Sequence, residues 1–143
     1  MADSLPISDM HLFPLAIQDG RLIILRESDH LLRRFGVLET LSVDAGASTT
    51  FHLRAEADQV LTPLDGRVEL SLVDLRPASP SHGARLEITL SAEDPHGLLL
   101  PFGVACRLAS STGARLLRLS THSATHAEDR ELDDGDLPEA APQ

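Results

Sequence analysis

The sequence predicts an all-β fold, a sandwich or barrel of short strands, on three observations. Its apolar runs are short and recur at intervals of about eight to twelve residues, each broken by turn-forming residues, which is the rhythm of such folds. Its 143 residues are enough for one domain with a real core and few for two. No repeat of about 20 to 50 residues is visible, so solenoids and propellers are set aside.

Residues 1–18 read as an N-terminal arm or edge strand, residues 19–126 as the barrel, and residues 127–143 as an acidic tail. Candidate strands follow in order at Leu22 to Leu25, Val37 to Val43, Thr49 to Leu53, Val60 to Leu64 and Val68 to Leu75. Four more lie at Leu86 to Leu90, Leu98 to Leu100, Val104 to Leu108 and Leu116 to Leu119. Asp65-Gly66 separates two of these runs. Asp-Gly is the preferred pair of a tight hairpin because both residues tolerate positive φ, so a hairpin is expected there. Pro101-Phe102-Gly103 and Ser111-Thr112-Gly113 read as turns through fixed or permissive φ. Asp29 to Phe35, with Leu31, Leu32 and Phe35 near helical spacing behind an Asp cap, is the place for one short helix. Beyond about Leu137 the tail holds Pro138 and Pro142 and too little apolar surface to offset its ordering entropy, so disorder is expected there.

The charge is uneven: 12 basic residues, all Arg, stand against 22 acidic ones, for a net of -10. Residues 127–143 hold seven acids and one base, a net of -6, which leaves -4 on the other 126 residues. With no concentrated positive field the chain is a poor candidate for nucleic acid. No run approaches the roughly 20 apolar residues of a membrane-spanning helix, and the N-terminus lacks a basic segment followed by an apolar stretch. A cytoplasmic protein without membrane attachment is the expectation. Cys106 is the single cysteine, which excludes an internal disulfide and agrees with a reducing compartment.

The candidate site begins with Thr49 to Ala55. Alternation along a strand sends Thr50, His52 and Arg54 to one face and Phe51 and Leu53 to the other, placing two ionisable groups together. The wider spacing carries more information. Gly46, five residues, His52, one residue, Arg54, four residues, Gln59, six residues and Gly66 match the first cupin motif in every interval, the motif itself reading Gly, His, His, Glu, Gly. Pro101-Phe102-Gly103-Val104-Ala105-Cys106 resembles the second motif, Pro-x-Gly-x-x-His, with Cys106 at the histidine. Val73-Asp74-Leu75-Arg76 followed by Ser79-Pro80 is similar to a signature of dTDP-4-dehydrorhamnose 3,5-epimerases. Asp19-Gly20-Arg21-Leu22 with Glu27, and the ungapped stretch His52 to Gly66 with Gln59-Val60-Leu61, resemble the dTDP-sugar 3,4-ketoisomerases. From about Asp19 to Asp134, then, the chain resembles the RmlC-like cupins with degenerate site motifs.

The resemblance implies a cupin jelly-roll barrel, the double-stranded β-helix, that forms a homodimer and holds a nucleotide sugar in its mouth. It further implies proton transfer next to a keto group, with His52 as base. That chemistry requires a base within hydrogen-bond reach and a group to meet the developing enolate. Arg54 replaces the second His, Thr49 stands where the ketoisomerases carry Arg, and the chain has no Tyr; Leu117 falls near the usual one. Arg54 is suited to an enolate or diphosphate and unable to act as an ordinary acid. Arg21 and Gln59 are candidates for binding substrate, as is Cys106, although a small buried hydrophobe is its commoner role. An Arg, an amide and a thiol at the cupin ligand positions disfavour a divalent metal, so neither metal nor other cofactor is expected. For Arg54 the competing role is a structural ion pair, with Glu56 or Asp58 as partner. His122 and His126, four apart with no helix to align them, read as solvated. Two functional classes stay open: a dTDP-keto-sugar isomerase or epimerase, and a non-catalytic cupin that binds a sugar nucleotide, a small acid or a protein partner.

Overall fold

The computed structural model describes residues 5–26 and 29–138, and every one of the nine apolar runs lands on a strand. In chain order these are β1 (His11–Pro14), β2 (Ala16–Gln18), β3 (Arg21–Ile23), β4 (Val37–Val43), β5 (Ala47–Ser48) and β6 (Phe51–Leu53). They continue with β7 (Gln59–Asp74), β8 (Arg85–Ser91), β9 (His96–Leu100), β10 (Val104–Ser110), β11 (Ala114–Ser120) and β12 (Arg130–Leu132). All pairings are antiparallel. One wall runs β4, β11, β7, β9, β1, and the other runs β8, β7, β10, β6, β12, with β5 also on β10. The long β7 belongs to both, so the walls close into the expected all-β jelly roll.

The Asp65-Gly66 hairpin does not form. A type I′ turn needs positive φ at both central residues, and of this pair only Gly66 has it, at +77°. The pair instead bends β7: Leu116 of β11 pairs with Pro63 and Arg115 with Asp65, so Leu64 is an extra, bulged residue. A bulge adds twist and bend, which carries the first half of β7 into one wall and the second half into the other. A Cβ at Gly66 would lie 2.2 Å from the Gly113 carbonyl oxygen, so this crossing requires glycine. The hairpin geometry appears at another Asp-Gly pair: Asp19 and Gly20 have φ of +52° and +76° and join β2 to β3.

The expected helix at residues 29–35 is also absent. His30 has φ of +52°, which a right-handed helix of L-residues does not accommodate. The Asp29 carboxylate accepts the Arg26 N–H behind it at 2.8 Å instead of capping the residues ahead. Among the described residues 3-10 conformation is found at Asp29 and in the turn Asp134–Asp136.

The acidic segment supplies a strand. β12 pairs with β6, and Leu132 packs against Phe51, Leu53, Val73 and Ala105 in a small cluster on the outer side of its wall. As far as residue 138, then, this segment is part of the barrel and not a tail. Glu27 and the end of the acidic segment, where disorder is expected, lie outside the described residues.

The main core fills the space between the walls. Leu70, Leu72, Leu98 and Leu116 are completely or almost completely buried there, each contributing about 1.5–3 kcal/mol relative to exposure. The Val73-Asp74-Leu75-Arg76 and Ser79-Pro80 signature forms a latch. Asp74, wholly buried, accepts bonds from the Arg76 N–H and Nε at 3.0 Å and from the Ser79 and Ser81 hydroxyls at 2.6 Å. Arg76 reaches on to Asp9 at 2.9 Å and the Ser8 carbonyl at 2.7 Å, fastening the N-terminal arm. Burial by itself pushes the Asp74 carboxyl up, but the donors of Arg76, Ser79 and Ser81 outweigh it and hold it well below the usual carboxylate range.

Candidate functional site

A cavity of about 350 Å³ opens between the walls at one end of the barrel, and it gathers His52, Arg54, Gln59 and Cys106. A larger groove of about 860 Å³ lies outside the second wall, against the Pro77–Pro80 loop, and holds none of these residues. Arg21, the fifth sequence candidate, is exposed on the β2–β3 hairpin and does not line the cavity.

His52 sits in β6 with Cys106 of β10 on one side and Glu131 of β12 on the other, in direct register. Register partners project from the same face of a sheet. The expected alternation holds, since Phe51 and Leu53 are buried in the outer cluster on the opposite face. His52 Nδ1 lies 3.7 Å from Glu131 Oε1, an ion pair when the imidazole is protonated. Glu131 is a site residue that motif spacing misses, because only the pairing of β12 with β6 brings it across 79 positions of sequence.

Arg54 is in an ion pair, though with neither Glu56 nor Asp58. Its Nε lies 3.1 Å from Asp129 Oδ2, while Glu56 meets His122 at 3.3 Å and Asp58 meets Arg33 at 3.5 Å. Asp129 also accepts the N–H groups of Ala55 at 2.7 Å and His126 at 2.9 Å. Burial pushes the Asp129 carboxyl up, yet those two backbone donors and the Arg54 charge prevail and hold it below its ordinary value. His122 is therefore tied down and not solvated, with Nδ1 also 2.8 Å from the Thr121 hydroxyl.

Gln59, at the start of β7, is buried with its side chain at the cavity. The Cys106 thiol is buried and free, and its burial pushes the pKa up to about 12 against a partial opposing pull from Arg118. It is a neutral wall group and not a poised nucleophile.

Arg118 is the cavity residue that sequence reasoning missed. Leu117, the position expected near the usual Tyr, points outward and lines an apolar groove with Phe35, Leu38 and Leu119. One residue on, Arg118 lines the cavity and binds Glu39 of β4 through Nε at 2.8 Å and through Nη2. The available signal was an Arg set between leucines in a strand, with Leu116 two residues earlier in the core. The lining therefore holds one imidazole, one amide, one neutral thiol and two guanidinium groups, beside Ser42 and Thr49. Two permanent cations do not fit a divalent metal.

No protein-family model and no curated protein matches the chain. Solved structures do. A dTDP sugar isomerase from Desulfovibrio desulfuricans superposes with a TM-score of 0.86 at 21% identity, over 96% of this chain and 93% of the other. A dTDP-4-dehydrorhamnose 3,5-epimerase from Elizabethkingia anophelis gives 0.83 at 20% identity, over 96% and 83%. A 3,5-epimerase from Legionella pneumophila, solved with dTDP-4-keto-L-rhamnose, gives 0.79 at 18% identity, over 99% and 86%. The fold is that of the RmlC-like cupins. Within this fold the barrel-mouth cavity is the place where His52 and its neighbours meet. Among the described residues no helix is long and apolar enough to cross a membrane.

Proposed function

We propose that this cupin binds a dTDP-activated keto-sugar in the barrel mouth and moves a proton next to the keto group, as an isomerase or epimerase, without a metal. The observation that carries this reading is His52 in the cavity with Nδ1 turned to the Glu131 carboxylate at 3.7 Å. A carboxylate beside one ring nitrogen orients the imidazole and leaves the other nitrogen for a substrate proton. Solved structures of the same fold that carry dTDP-sugar ligands add support from likeness. Arg54, already paired with Asp129, serves the site mainly by fixing the mouth of the cavity, and its remaining donors suit a phosphate oxygen.

The test is solvent-deuterium incorporation into dTDP-4-keto-6-deoxyglucose, followed by NMR, with His52→Ala beside the natural protein. Loss of a general base lowers such a rate by about 10²- to 10⁴-fold. Exchange at a carbon beside the ketone that disappears in the variant identifies His52 as the base. No exchange in the natural protein with ligand bound refutes turnover and leaves the binding-cupin reading.

The same proposal includes a homodimer of cytoplasmic protein. Its support is the outer face of the β4–β11 wall, where Phe35 is 68% and Leu38 53% exposed beside Leu117 and Leu119. A second copy of the chain is the occupant this apolar surface suits. Sedimentation should give a dimer, and Leu38→Glu a monomer; a monomeric natural protein at tens of micromolar refutes it.

A further inference from the structure

With no Tyr in the chain and the second motif His replaced, the reading above lacks a group to meet the oxygen of the enolate. The two walls of the cavity supply one. His52 and Cys106 project from β6 and β10. Across the cavity stand Arg118 of β11 and Gln59 of β7. Arg118 pairs in register with Leu61, and Ser120 with Gln59, so Arg118 and Gln59 are diagonal neighbours on one face of their wall.

Both are built for a ligand. The Gln59 residue is 7% exposed and its side chain lines the cavity, where the amide is open to a ligand. Arg118 gives Nε and one Nη2 hydrogen to Glu39. A guanidinium has about five N–H donors, so three remain, and the side chain opens on the cavity. Glu39 fixes its orientation in advance, which is the condition for strong stabilisation of a charge that appears only during reaction.

We propose that Arg118, with the Gln59 amide beside it, is the oxyanion site of this cavity and binds the keto oxygen of the sugar. This rests on the reading of His52 as base. The step balances as follows: the C–H bond beside the carbonyl breaks and its proton passes to the His52 imidazole. The released electron pair forms the C=C bond, and the carbonyl π pair moves onto oxygen facing Arg118. His52 then returns the proton to carbon. Arg118 stays protonated throughout and acts by charge and hydrogen bonding, not as an acid.

The experiment compares Arg118→Met and Arg118→Lys with the natural protein in the deuterium-exchange assay, with thermal unfolding as the check on folding. Removal of an oxyanion donor lowers kcat by about 10²- to 10³-fold. The expected result is such a fall in kcat in Arg118→Met and at least tenfold recovery in Arg118→Lys. A fall smaller than tenfold overturns the assignment. If Arg118→Met does not fold, Arg118→Gln, which also lacks the charge, decides by the same tenfold criterion. A second arm separates this inference from the base assignment by calorimetric binding of dTDP-4-keto-6-deoxyglucose against dTDP-6-deoxyglucose, which has a hydroxyl in place of the ketone. Even in a protein that does not turn over, the keto form should bind more tightly, and Arg118→Met or, if that variant does not fold, Arg118→Gln should erase the difference. Equal affinities in the natural protein, or no binding at all, overturn it.

Discussion

Replacing Asp74 by Asn tests the latch that closes the barrel around its N-terminal arm. The side chain keeps its shape, loses its charge and sets an NH₂ group among donors. The carboxylate accepts five hydrogen bonds, three from Arg76 and one each from Ser79 and Ser81. Removing one partner of a buried ion pair costs about 3–5 kcal/mol, because the other charge stays behind. Arg76 is 13% exposed and keeps Asp9, so the lower part of that range applies, about 3–4 kcal/mol. At roughly 3 °C per kcal/mol for a chain of this size, Tm should fall by about 9–12 °C. The chain has neither Trp nor Tyr, so urea unfolding is followed by far-ultraviolet circular dichroism, and the m-value should be unchanged. The pH dependence has a definite sign. A carboxyl depressed in the folded state stabilises above its unfolded value of about 3.9 and loses that contribution as pH falls toward the folded value. The gap between natural protein and variant should therefore be full at pH 6 and smaller by about 1 kcal/mol at pH 3. A gap below about 1 kcal/mol at pH 6, or one that does not narrow at pH 3, would refute the reasoning.

Three further outcomes can be checked. Gly66→Ala must place a Cβ against the Gly113 carbonyl at a positive φ, so it should lose about 1–3 kcal/mol from backbone strain and more from the clash, measured by urea unfolding. Cys106, buried with its thiol pKa raised to about 12, should resist a thiol reagent at pH 8 and react at once in denaturant; rapid labelling of the folded protein contradicts its placement. Asp129→Asn removes the charged acceptor shared by Ala55, His126 and Arg54 and should cost about 1–3 kcal/mol near neutral pH. Since the Asp129 carboxyl is depressed in the fold, that cost too should shrink as pH falls below about 4.

Spacing alone was informative wherever the physics is local. The nine apolar runs located eight strands, two of the runs being halves of β7, and period-two alternation put His52 opposite Phe51 and Leu53, because side chains along a strand must alternate. The motif intervals brought four of the five candidates to one cavity. Tertiary structure decided the rest, and each case has a physical reason. Asp-Gly fits both a hairpin and a bulged bend, and only the available partners of β7 select the bend at Asp65-Gly66 and the hairpin at Asp19-Gly20. The acidic segment looks unable to fold by composition, yet Leu132 has a place in the Phe51 cluster and β12 a free edge on β6. Glu131 and Arg118 belong to the site through pairings between strands far apart in sequence. No interval along a chain encodes which strand lies beside which; the closing of the barrel does.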